Sequence, residues 1–324
     1  MKHRQTPPHG YELAAEDHEL LRGAPPPQAL RWAALAVGRG ARVGRVWPLE
    51  GGTSSAVHAL DVADRRGRTH RLVLRRFVRQ DWLAEEPDAP AREAAALEFV
   101  RGSGVRAPEL VSVDHGGREA GVPALLMTRL AGRIDWHPAD LESFLRPLAA
   151  VLPRIHATPL PPEPGIPPYE PYELGLAGPP PWASQPEMWR RAIELFKSPA
   201  PSPGRCFIHR DYHPGNVLWA DGELAGVVDW AHASVGSPDA DVGHCRVNLA
   251  DRFGLDAADR FLELYQAAAG RGEYHPYWDI AAALAASTRT ISTQATSAYS
   301  PMHCGVCEGA GCSRSVSRRP LKGL

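Results

Sequence analysis

The chain has 324 residues, with 36 basic and 37 acidic side chains and a formal net charge of −1 at pH 7. Its charged (23%) and hydrophobic (44%) fractions are ordinary for a globular protein, so wholesale disorder and a coiled coil are excluded. The near-neutral charge gives no reason to expect a nucleic acid or an anionic membrane as a partner, and no apolar run approaches the roughly 18 residues that span a bilayer. The length predicts two lobes or one large domain.

The termini and the cysteine and lysine content narrow the class of protein further. The N-terminal segment lacks the apolar stretch of a secretory signal, and three of the five cysteines fall in the last 21 residues, which is not a disulfide framework. We therefore expect a cytoplasmic protein. The only lysines are Lys2, Lys197 and Lys322, and none completes a Gly-Lys-Ser/Thr triplet. A phosphate-loop NTPase needs that lysine, so this class is excluded.

The first part of the chain predicts an extension followed by a small sheet. Residues 1–28 include Pro25–Pro27 and are expected to be loosely ordered. Residues 29–130 are expected to form an antiparallel sheet that carries one main helix, Ala91–Arg101, which ends at glycines. The other elements predicted in this region are a short helix over Leu30–Val37 and strands over Arg42–Leu49, Val57–Ala63, His70–Phe77, Leu110–Asp114 and Ala124–Leu130.

The pattern becomes helical from Asp140, and residues 131–290 are expected to form a second, mainly helical lobe. Ten prolines between Pro159 and Pro181 indicate a surface insertion within it. The helices predicted in this lobe cover Leu141–His156, Met188–Phe196, Ala257–Ala269 and Tyr277–Ala286. The sequence thus predicts an α+β protein of two lobes.

Residues 291–324 form a Ser-, Arg- and Cys-rich tail of different character. Cys304, Cys307 and Cys312, with His303 nearby, are residue types that bind zinc, although their spacing matches no paired-knuckle pattern. A zinc site and a tail outside the fold, including one from an altered reading frame, both remain open.

Charge is unevenly distributed along the chain. Residues 1–132 and 301–324 each carry a net charge of +3, and residues 133–300 carry −7. An acidic block attracts cationic ligands by electrostatic steering, but it is also found as an ordinary solvated surface. The distribution favours an amine-bearing substrate for the second lobe.

The segment with the clearest chemical signal is a predicted hairpin. The apolar-rich runs Val217–Ala220 and Glu223–Asp229 flank Asp221-Gly222, a strong signal for a two-residue turn. In the register that this turn sets, Asn216 faces Val227, and Asp229 is one diagonal step away, at about 7–8 Å between backbones. An amide and a carboxylate therefore converge at the open end of the hairpin.

Asp211 lies five residues before Asn216, on a loop that His213-Pro214-Gly215 keeps irregular. Three oxygen-bearing side chains at one end of a hairpin suit a hard cation such as Mg²⁺ together with a base. A series of turn-capping Asp and Asn residues is the alternative. The magnesium site is favoured over the turn-capping alternative, because several independent spacing constraints on these three residues are met together.

The segment His209–Asn216, which is His-Arg-Asp-Tyr-His-Pro-Gly-Asn, resembles the catalytic loop of the aminoglycoside phosphotransferase family within the protein-kinase-like superfamily. That family usually has His-Gly-Asp, so Arg210 is closer to the His-Arg-Asp of protein kinases. The following Val227–Trp230 is similar to the family's metal-binding Ile-Asp-Trp. The resemblance covers roughly residues 40–290. It implies a bilobal protein-kinase-like fold, with a small N-terminal antiparallel sheet plus helix and a larger, mainly helical C-terminal lobe.

The resemblance also implies roles for individual residues. Asp211 is the catalytic residue that orients the acceptor hydroxyl and accepts its proton, and Asn216 and Asp229 hold Mg²⁺ against the phosphates of ATP. His209 is expected to be a buried hydrogen-bonding brace. For Asp241, a brace of the catalytic loop and a helix N-cap remain equally open.

The N-terminal lobe must then bind the nucleotide. A loop between two strands offers backbone amides to the phosphates, or is an ordinary hairpin loop; it consists of Gly51, Gly52, Thr53, Ser54 and Ser55. Leu72–Arg75 aligns with the kinase Val-Ala-Ile-Lys strand, so Arg75 stands where a lysine is expected. Arginine stays charged, but its planar fork is not equivalent to an ammonium.

Three further assignments concern this lobe. Glu93 is the expected ion-pair partner of Arg75, with Glu98 as the competitor and a surface carboxylate as the alternative. Arg76 is expected on the opposite, solvated side of the strand. The segment from Met127 to Leu130 resembles the hinge that meets adenine.

The leading hypothesis is an ATP-dependent small-molecule kinase that phosphorylates a hydroxyl group. Aminoglycosides, amino-alcohols, sugars and other antibiotics are all open as acceptors. The alternative is a catalytically impaired, nucleotide-binding pseudokinase, which the replacement at Arg75 and the unusual tail would suit. Protein-kinase activity is disfavoured, because too few residues follow Asp229 for an activation segment.

Overall fold

The computed structural model describes residues 15–49, 54–160, 165–171, 178–180, 183–201 and 204–296. Gly51, Gly52 and Thr53 of the predicted phosphate loop, and the cysteines of the tail, lie outside the described residues. The chain divides into a unit of Met1–Ala285 and a unit of Ala286–Leu324. The candidate site lies in the first unit.

Helices and strands alternate along the chain, with five strands before residue 130 and most of the longer helices after it. The helices are α1 (Ala15–Arg22), α2 (Pro27–Val37), α3 (Gln80–Glu85), α4 (Ala89–Val100), α5 (Leu141–His156), α6 (Pro186–Phe196), α7 (Pro238–Phe253), α8 (Leu255–Ala269) and α9 (Tyr277–Thr296). The strands are β1 (Arg42–Pro48), β2 (Ala56–Ala63), β3 (Thr69–Arg76), β4 (Leu110–Asp114), β5 (Ala124–Thr128), β6 (Cys206–Ile208), β7 (Val217–Ala220), β8 (Glu223–Val227) and β9 (Ser234–Gly236).

The N-terminal strands form one antiparallel sheet in the order β1-β2-β3-β5-β4. Its two faces carry different apolar clusters. One face packs Leu60 and Leu72 against Trp32 of α2. The other joins Leu125 to Leu97 of α4 and to helix α5 in a core that continues into the C-terminal half. The predicted α+β, kinase-like architecture is confirmed, and the core is continuous across residue 130.

The N-terminal segment is more ordered than expected from residue 15 onward. Helix α1 contacts β2, and its Leu21 is fully buried. The same region explains why the prediction of a solvated Arg76 is wrong. Arg76 is 7% exposed. Burial lowers the pKa of His58, and the nearby charges of Arg76 and of Arg22, at the end of α1, lower it further. A helix that was not predicted therefore ends close to His58 on β2, the strand that pairs with the strand of Arg76.

The hairpin over Val217–Val227 has the predicted turn but not the predicted register. Ala220 pairs with Glu223 across Asp221-Gly222, but the pairing shifts between Leu218 and Trp219, so that Val217 pairs with Val227. The expectation that Asn216 faces Val227 is therefore wrong by one residue: the amide of Val228 donates to the Asn216 carbonyl at 2.9 Å. An extra residue in β8, a β-bulge, causes the shift.

Helix α7 was not predicted. It begins at Pro238, with Ser237 as its N-cap; the Ser237 hydroxyl accepts from the Asp239 amide at 3.3 Å. Seven of its residues between Asp239 and Leu249 are buried, so the helix lacks the single apolar stripe by which sequence patterns are recognised. It runs beside the catalytic loop and contributes to the site described next.

Candidate active site

The backbone is strained at two points of the site, one in the loop between β6 and β7 and one just after β8. Arg210 (φ 66°) and Asp229 (φ 65°) adopt the left-handed region although neither is glycine. This conformation costs an L-residue about 1–2 kcal/mol. Such strain persists only where the surrounding structure imposes it, and it is concentrated at functional sites.

Asp241 on α7 holds the loop in that conformation. It is fully buried, and its carboxylate accepts the backbone amides of His209 at 2.9 Å and Arg210 at 2.6 Å. His156 on α5 contacts the same carboxylate at 3.1 Å. Since Ser237 is the N-cap of α7, the structure places Asp241 against the loop rather than at the helix end.

His209 is buried beneath the same loop. Its Nε2 donates to the Val228 carbonyl at 3.0 Å, and its ring lies 4.5 Å from that of Trp230. The histidine therefore ties the loop to the end of the hairpin that carries Asp229, which is the placement expected of a brace.

Asp211 is surrounded by donors. Its Oδ1 lies 3.1 Å from His244 Nε2, and its Oδ2 accepts the Asn216 amide Nδ2 at 3.0 Å. His213 Nε2 is 3.9 Å from Oδ2. Burial acts to raise the pKa of Asp211, but the hydrogen bond from His244 and the neighbouring imidazoles hold this pKa well below its ordinary value. The carboxylate is therefore ionised at neutral pH.

Near Asp211 there are two histidines for which burial opposes protonation of the ring. Burial lowers the pKa of His213 to about 4 and that of His232 to about 4, against a favourable contribution from Asp211 in both cases. Both rings are therefore neutral at pH 7.

Asp211, His213 and His244 have the residue types of a metal site, and one ligand atom from each lies within 4.8 Å of the others. The local hydrogen bonds argue against this use. The Gly215 amide donates to His213 Nδ1 at 3.1 Å, so Nε2 carries the proton in the neutral ring. A metal on Nε2 would move that proton to Nδ1, where the amide already points. We therefore interpret His213 and His244 as residues that surround the Asp211 carboxylate and not as metal ligands.

Asn216 and Asp229 fit the predicted magnesium site by the chemistry of their donor atoms. The Asn216 amide nitrogen is directed at Asp211, donating to its carbonyl at 2.8 Å, which leaves the amide oxygen as the ligand atom. Asp229 is 35% exposed at its side chain, and one of its oxygens contacts Arg75. Amide and carboxylate oxygens are the ligands that Mg²⁺ prefers.

Arg75 connects this site to the N-terminal sheet. Its Nη1 donates to Glu93 at 2.9 Å and to Asp229 at 2.7 Å, and its Nε donates to the Ser55 hydroxyl at 2.8 Å. Burial opposes the charge of Arg75, but Asp229 and Glu93 outweigh it and raise the pKa of the guanidinium. Burial raises the pKa of Glu93, and the charge of Arg75 acts in the opposite direction.

The structure thus places Glu93, and not Glu98, beside Arg75; Glu98 lies on the surface, 3.8 Å from Arg101. Of the predicted phosphate loop, Ser54 is described and half-buried, and its neighbour Ser55 is the residue with a contact to the arginine.

The segment that was predicted to be the hinge lies against the hairpin of β7 and β8. Met127 is 6% exposed and belongs to the continuous core. Leu130 lies so close to Gly226 that a Cβ there would be 2.5 Å from Leu130 Cδ1. Further along the hinge, Arg133 exchanges two backbone hydrogen bonds with Trp219 at 2.8 and 2.9 Å. These contacts fix the segment that joins the two halves relative to the hairpin.

Sequence reasoning did not identify His244 or His232 as specific members of the site. His244 lies 33 residues after Asp211, on the helix that was not predicted, and its only sequence signal is the Ser237-Pro238 start of that helix. His232 follows Ala231, whose carbonyl accepts from Arg92 at 2.5 Å.

Comparison with known proteins identifies the family. A model described as "Phosphotransferase enzyme family" matches residues 46–284, about three quarters of the chain. A search of curated proteins gives no match.

Solved structures show the same fold at low sequence identity. Macrolide 2′-phosphotransferase MphH from Brachybacterium faecium is 18% identical, with a TM-score of 0.56, over 84% of this chain and 99% of that one. The GDP complex of aminoglycoside 2′-phosphotransferase-IIIa is 18% identical, with a TM-score of 0.55, over 79% and 88%.

A third structure is a thermostable mutant of the aminoglycoside phosphotransferase APH(4)-Ia, in a ternary complex with AMP-PNP and hygromycin B. It is 17% identical, with a TM-score of 0.54, over 79% of this chain and 89% of that one.

None of the helices that the structure describes is long and apolar enough to cross a membrane. From the match over residues 46–284 and the kinase-like α+β fold, the chain belongs to the phosphotransferase enzyme family.

Proposed function

We propose that this protein is an ATP-dependent kinase that transfers the γ-phosphoryl group to a hydroxyl of a small molecule. The observation that carries the proposal is the convergence of three oxygen-bearing side chains on one loop and hairpin. Asn216 bonds to Asp211, and Asp229 bonds to Arg75 of the N-terminal sheet. Positioning and charge neutralisation are what phosphoryl transfer requires from a protein.

Asn216 and Asp229 are the residues that would hold Mg²⁺, and Arg75 is a cation in contact with Asp229. When bound, the ion neutralises negative charge on the phosphates of the nucleotide. Nucleotides occupy two of the structural relatives, as GDP in one and AMP-PNP in another. Support for a nucleotide between the sheet and the hairpin thus comes from the donor set and from the fold.

In the transfer that we propose, the acceptor oxygen bonds to the γ-phosphorus, and the bond from that phosphorus to the bridging oxygen of ADP breaks. Asp211 holds the acceptor hydroxyl and takes its proton. Its low pKa makes it a weak base, so its main contribution is to orient the hydroxyl, with proton removal late in the reaction. His244 and Asn216 act on the acceptor indirectly, by fixing the carboxylate.

For the acceptor, the −7 charge of residues 133–300 supports an amine-bearing molecule such as an aminoglycoside. Two of the structural relatives are named as aminoglycoside phosphotransferases and one as a macrolide phosphotransferase. Aminoglycosides, macrolides, amino-alcohols and sugars therefore form the first panel of acceptors.

The test combines ligand-induced stabilisation with product detection. Magnesium-ATP should raise the melting temperature by mass action, and GTP is tested in parallel. ADP release that depends on one member of the panel is the expected result. Stabilisation by nucleotide with no release on any acceptor would favour a nucleotide-binding pseudokinase. Neither stabilisation nor release would contradict the proposal.

A further inference from the structure

The end of the N-terminal sheet that includes the turn between β2 and β3 is strongly basic. Residues 39–71 contain seven arginines and no lysine, and all seven arginines are exposed. None of them forms an ion pair with another residue that the structure describes. The near-neutral charge of the whole chain therefore conceals a local excess of positive charge. This arginine cluster consists of Arg39, Arg42, Arg45, Arg65, Arg66, Arg68 and Arg71.

The strand pairing brings the cluster together. Arg42 at the start of β1 pairs with Ala63 at the end of β2, and Ala63 pairs with Thr69 at the start of β3. A Cβ at Gly40 would lie 3.8 Å from the side chain of Arg65, so the loop before β1 lies beside the turn. Because neighbouring strands are about 4.8 Å apart, β1 and β3 are separated by only about 10 Å. The arginines therefore share one continuous surface.

Two described carboxylates within residues 39–71, Asp61 and Asp64, do not pair with the arginine cluster. Asp64 accepts the backbone amides of Arg66 at 2.8 Å and Arg68 at 3.0 Å, which leaves both guanidinium groups without a carboxylate. Asp61 contacts Arg129, which is not part of the cluster, at 3.4 Å. The positive charge of the cluster is thus directed at solvent.

The apolar content of this surface favours one kind of polyanion. Among the described residues, none of the strongly exposed large apolar side chains lies between residues 39 and 71. A protein interface depends on anchors that fill apolar pockets, and lasting attachment to a membrane needs an apolar anchor beside the basic residues. A phosphodiester backbone needs neither, because its affinity for a protein comes from cations that replace condensed counterions.

The aromatic residue beside the cluster is already engaged. The Trp47 ring is half-buried, and the guanidinium carbons of Arg45 and Arg129 lie 5.1 and 4.7 Å from its centre. Single-stranded nucleic acid is typically bound by aromatic rings on which the bases stack. This surface therefore suits the backbone of a duplex better than the bases of a single strand.

We propose that the arginine cluster binds double-stranded nucleic acid through its phosphates, without preference for base sequence. A guanidinium binds a phosphate through two parallel hydrogen bonds. A duplex has about one negative charge per 1.7 Å of its length, so several arginines contact phosphates at the same time. The inference goes beyond the proposed function and does not rest on it, because the cluster contains no residue of the candidate active site.

The probes are a fluorescent DNA duplex of about 20 base pairs and an RNA duplex of the same sequence; their length exceeds the spread of the cluster. Anisotropy is measured with the full chain in EDTA, without nucleotide, between about 50 and 200 mM salt. Both duplexes should bind, because both present phosphates. The logarithm of the association constant should fall with the logarithm of the salt concentration, with a slope of about −4 to −6 if most of the arginines contact phosphates.

The test variant is Arg66→Gln/Arg68→Gln, which removes two charges from the turn. Its slope should be shallower than that of the parent by about 2, because each arginine accounts for about one phosphate contact. Arg191→Gln/Arg205→Gln is the matched control. Both of these arginines are exposed, lie in the C-terminal half and have no ion pair with a described residue. The control changes the net charge equally and should bind as the parent does.

Several results would overturn the proposal. They are the absence of binding to either duplex at low salt, the same slope in Arg66→Gln/Arg68→Gln as in the parent, and an equal change in the control. Equally tight binding of a polyglutamate peptide would also contradict the choice of phosphates, as would binding of phosphatidylglycerol vesicles but not of a duplex.

The two proposals fail separately. ADP release should be the same in Arg66→Gln/Arg68→Gln as in the parent. Absence of ADP release on every acceptor would contradict the kinase and leave duplex binding measurable. Absence of duplex binding would contradict the role of the arginine cluster alone.

Discussion

The two carboxylates at the end of the hairpin are held in different ways. Asp229 contacts a buried guanidinium, Arg75, at 2.7 Å. Asp211 contacts an imidazole and an amide, at 3.1 and 3.0 Å. A permanent cation beside Asp229 links the sheet to the hairpin and provides positive charge where phosphates are expected. Asp211 lacks such an arginine and keeps the capacity to accept a proton.

One site thus combines two electrostatic arrangements. On the side of Arg75, burial and opposite charges stabilise a fixed cluster with Glu93 and Ser55. On the side of Asp211, the hydrogen bond from His244 and the neighbouring imidazoles keep the carboxylate ionised although it is buried. Each side should therefore respond differently to substitution and to pH.

The largest effect on stability is expected from Arg75→Ala. Removing the guanidinium leaves Glu93 and Asp229 as neighbouring carboxylates without their shared cation, and breaking a buried ion pair from one side costs about 3–5 kcal/mol. Urea unfolding measures the loss. Arg75→Lys keeps a charge but not the fork, so its loss should be smaller. Equal stability of Arg75→Ala and the parent would contradict the cluster.

The histidine side should be sensitive to mild acid. His213 and His232 have pKa values of about 4 in the folded protein, below the ordinary 6.5 of the unfolded chain. Because these folded values are lowered, the stabilisation is complete above pH 6.5 and is lost as the pH falls toward 4. The loss is about 3 kcal/mol per histidine by linkage, and solvent at the partly exposed rings reduces this figure.

The measurement is the free energy of unfolding in urea at pH 7.5 and pH 4.5, without metal or nucleotide. His232→Gln should show a smaller loss between these values than the parent. His115→Gln, a change at an exposed histidine, serves as the control and should leave the difference unchanged. A stability that does not change over this pH range would refute the neutral, buried state of the two rings.

A smaller loss of stability is expected from a substitution at the point where the hairpin contacts the hinge. A Cβ at Gly226 would lie 2.5 Å from Leu130 Cδ1 and 2.9 Å from the Arg106 carbonyl. Gly226→Ala should therefore destabilise the protein by about 1–3 kcal/mol through overpacking. Gly102→Ala, where a Cβ meets nothing within 4 Å, is the control and should unfold like the parent. If both variants unfold at the same urea concentration, the close contact between the hairpin and the hinge is contradicted.

Much of the candidate site could be predicted, because short spacings determine it. Asp211, Asn216 and the Asp229 hairpin lie within 19 residues, and the Arg75–Glu93 pair follows from one strand and the next main helix. The register of the hairpin could not be predicted, because the turn residues do not reveal the bulge that shifts the pairing between Leu218 and Trp219.

The parts that the sequence did not reveal depend on tertiary packing. Arg76 is buried although it alternates with Arg75 along β3, and His244 reaches Asp211 from a helix that is buried on several sides. A hydrophobic pattern identifies a helix only when one face is solvated. Two roles were open for Asp241 from the sequence. The hydrogen bonds that its carboxylate accepts from two backbone amides of the loop favour the brace over the helix N-cap.

The most direct test compares Asp211→Asn with Asp229→Asn in the same two assays. For Asp211→Asn we predict that acceptor-dependent ADP release falls by about 10²–10⁴-fold, while magnesium-ATP raises the melting temperature as in the parent. For Asp229→Asn we predict that this magnesium-dependent stabilisation is itself weakened. Full turnover in Asp211→Asn, or equal loss of nucleotide binding in both variants, would contradict the division of roles between the two carboxylates.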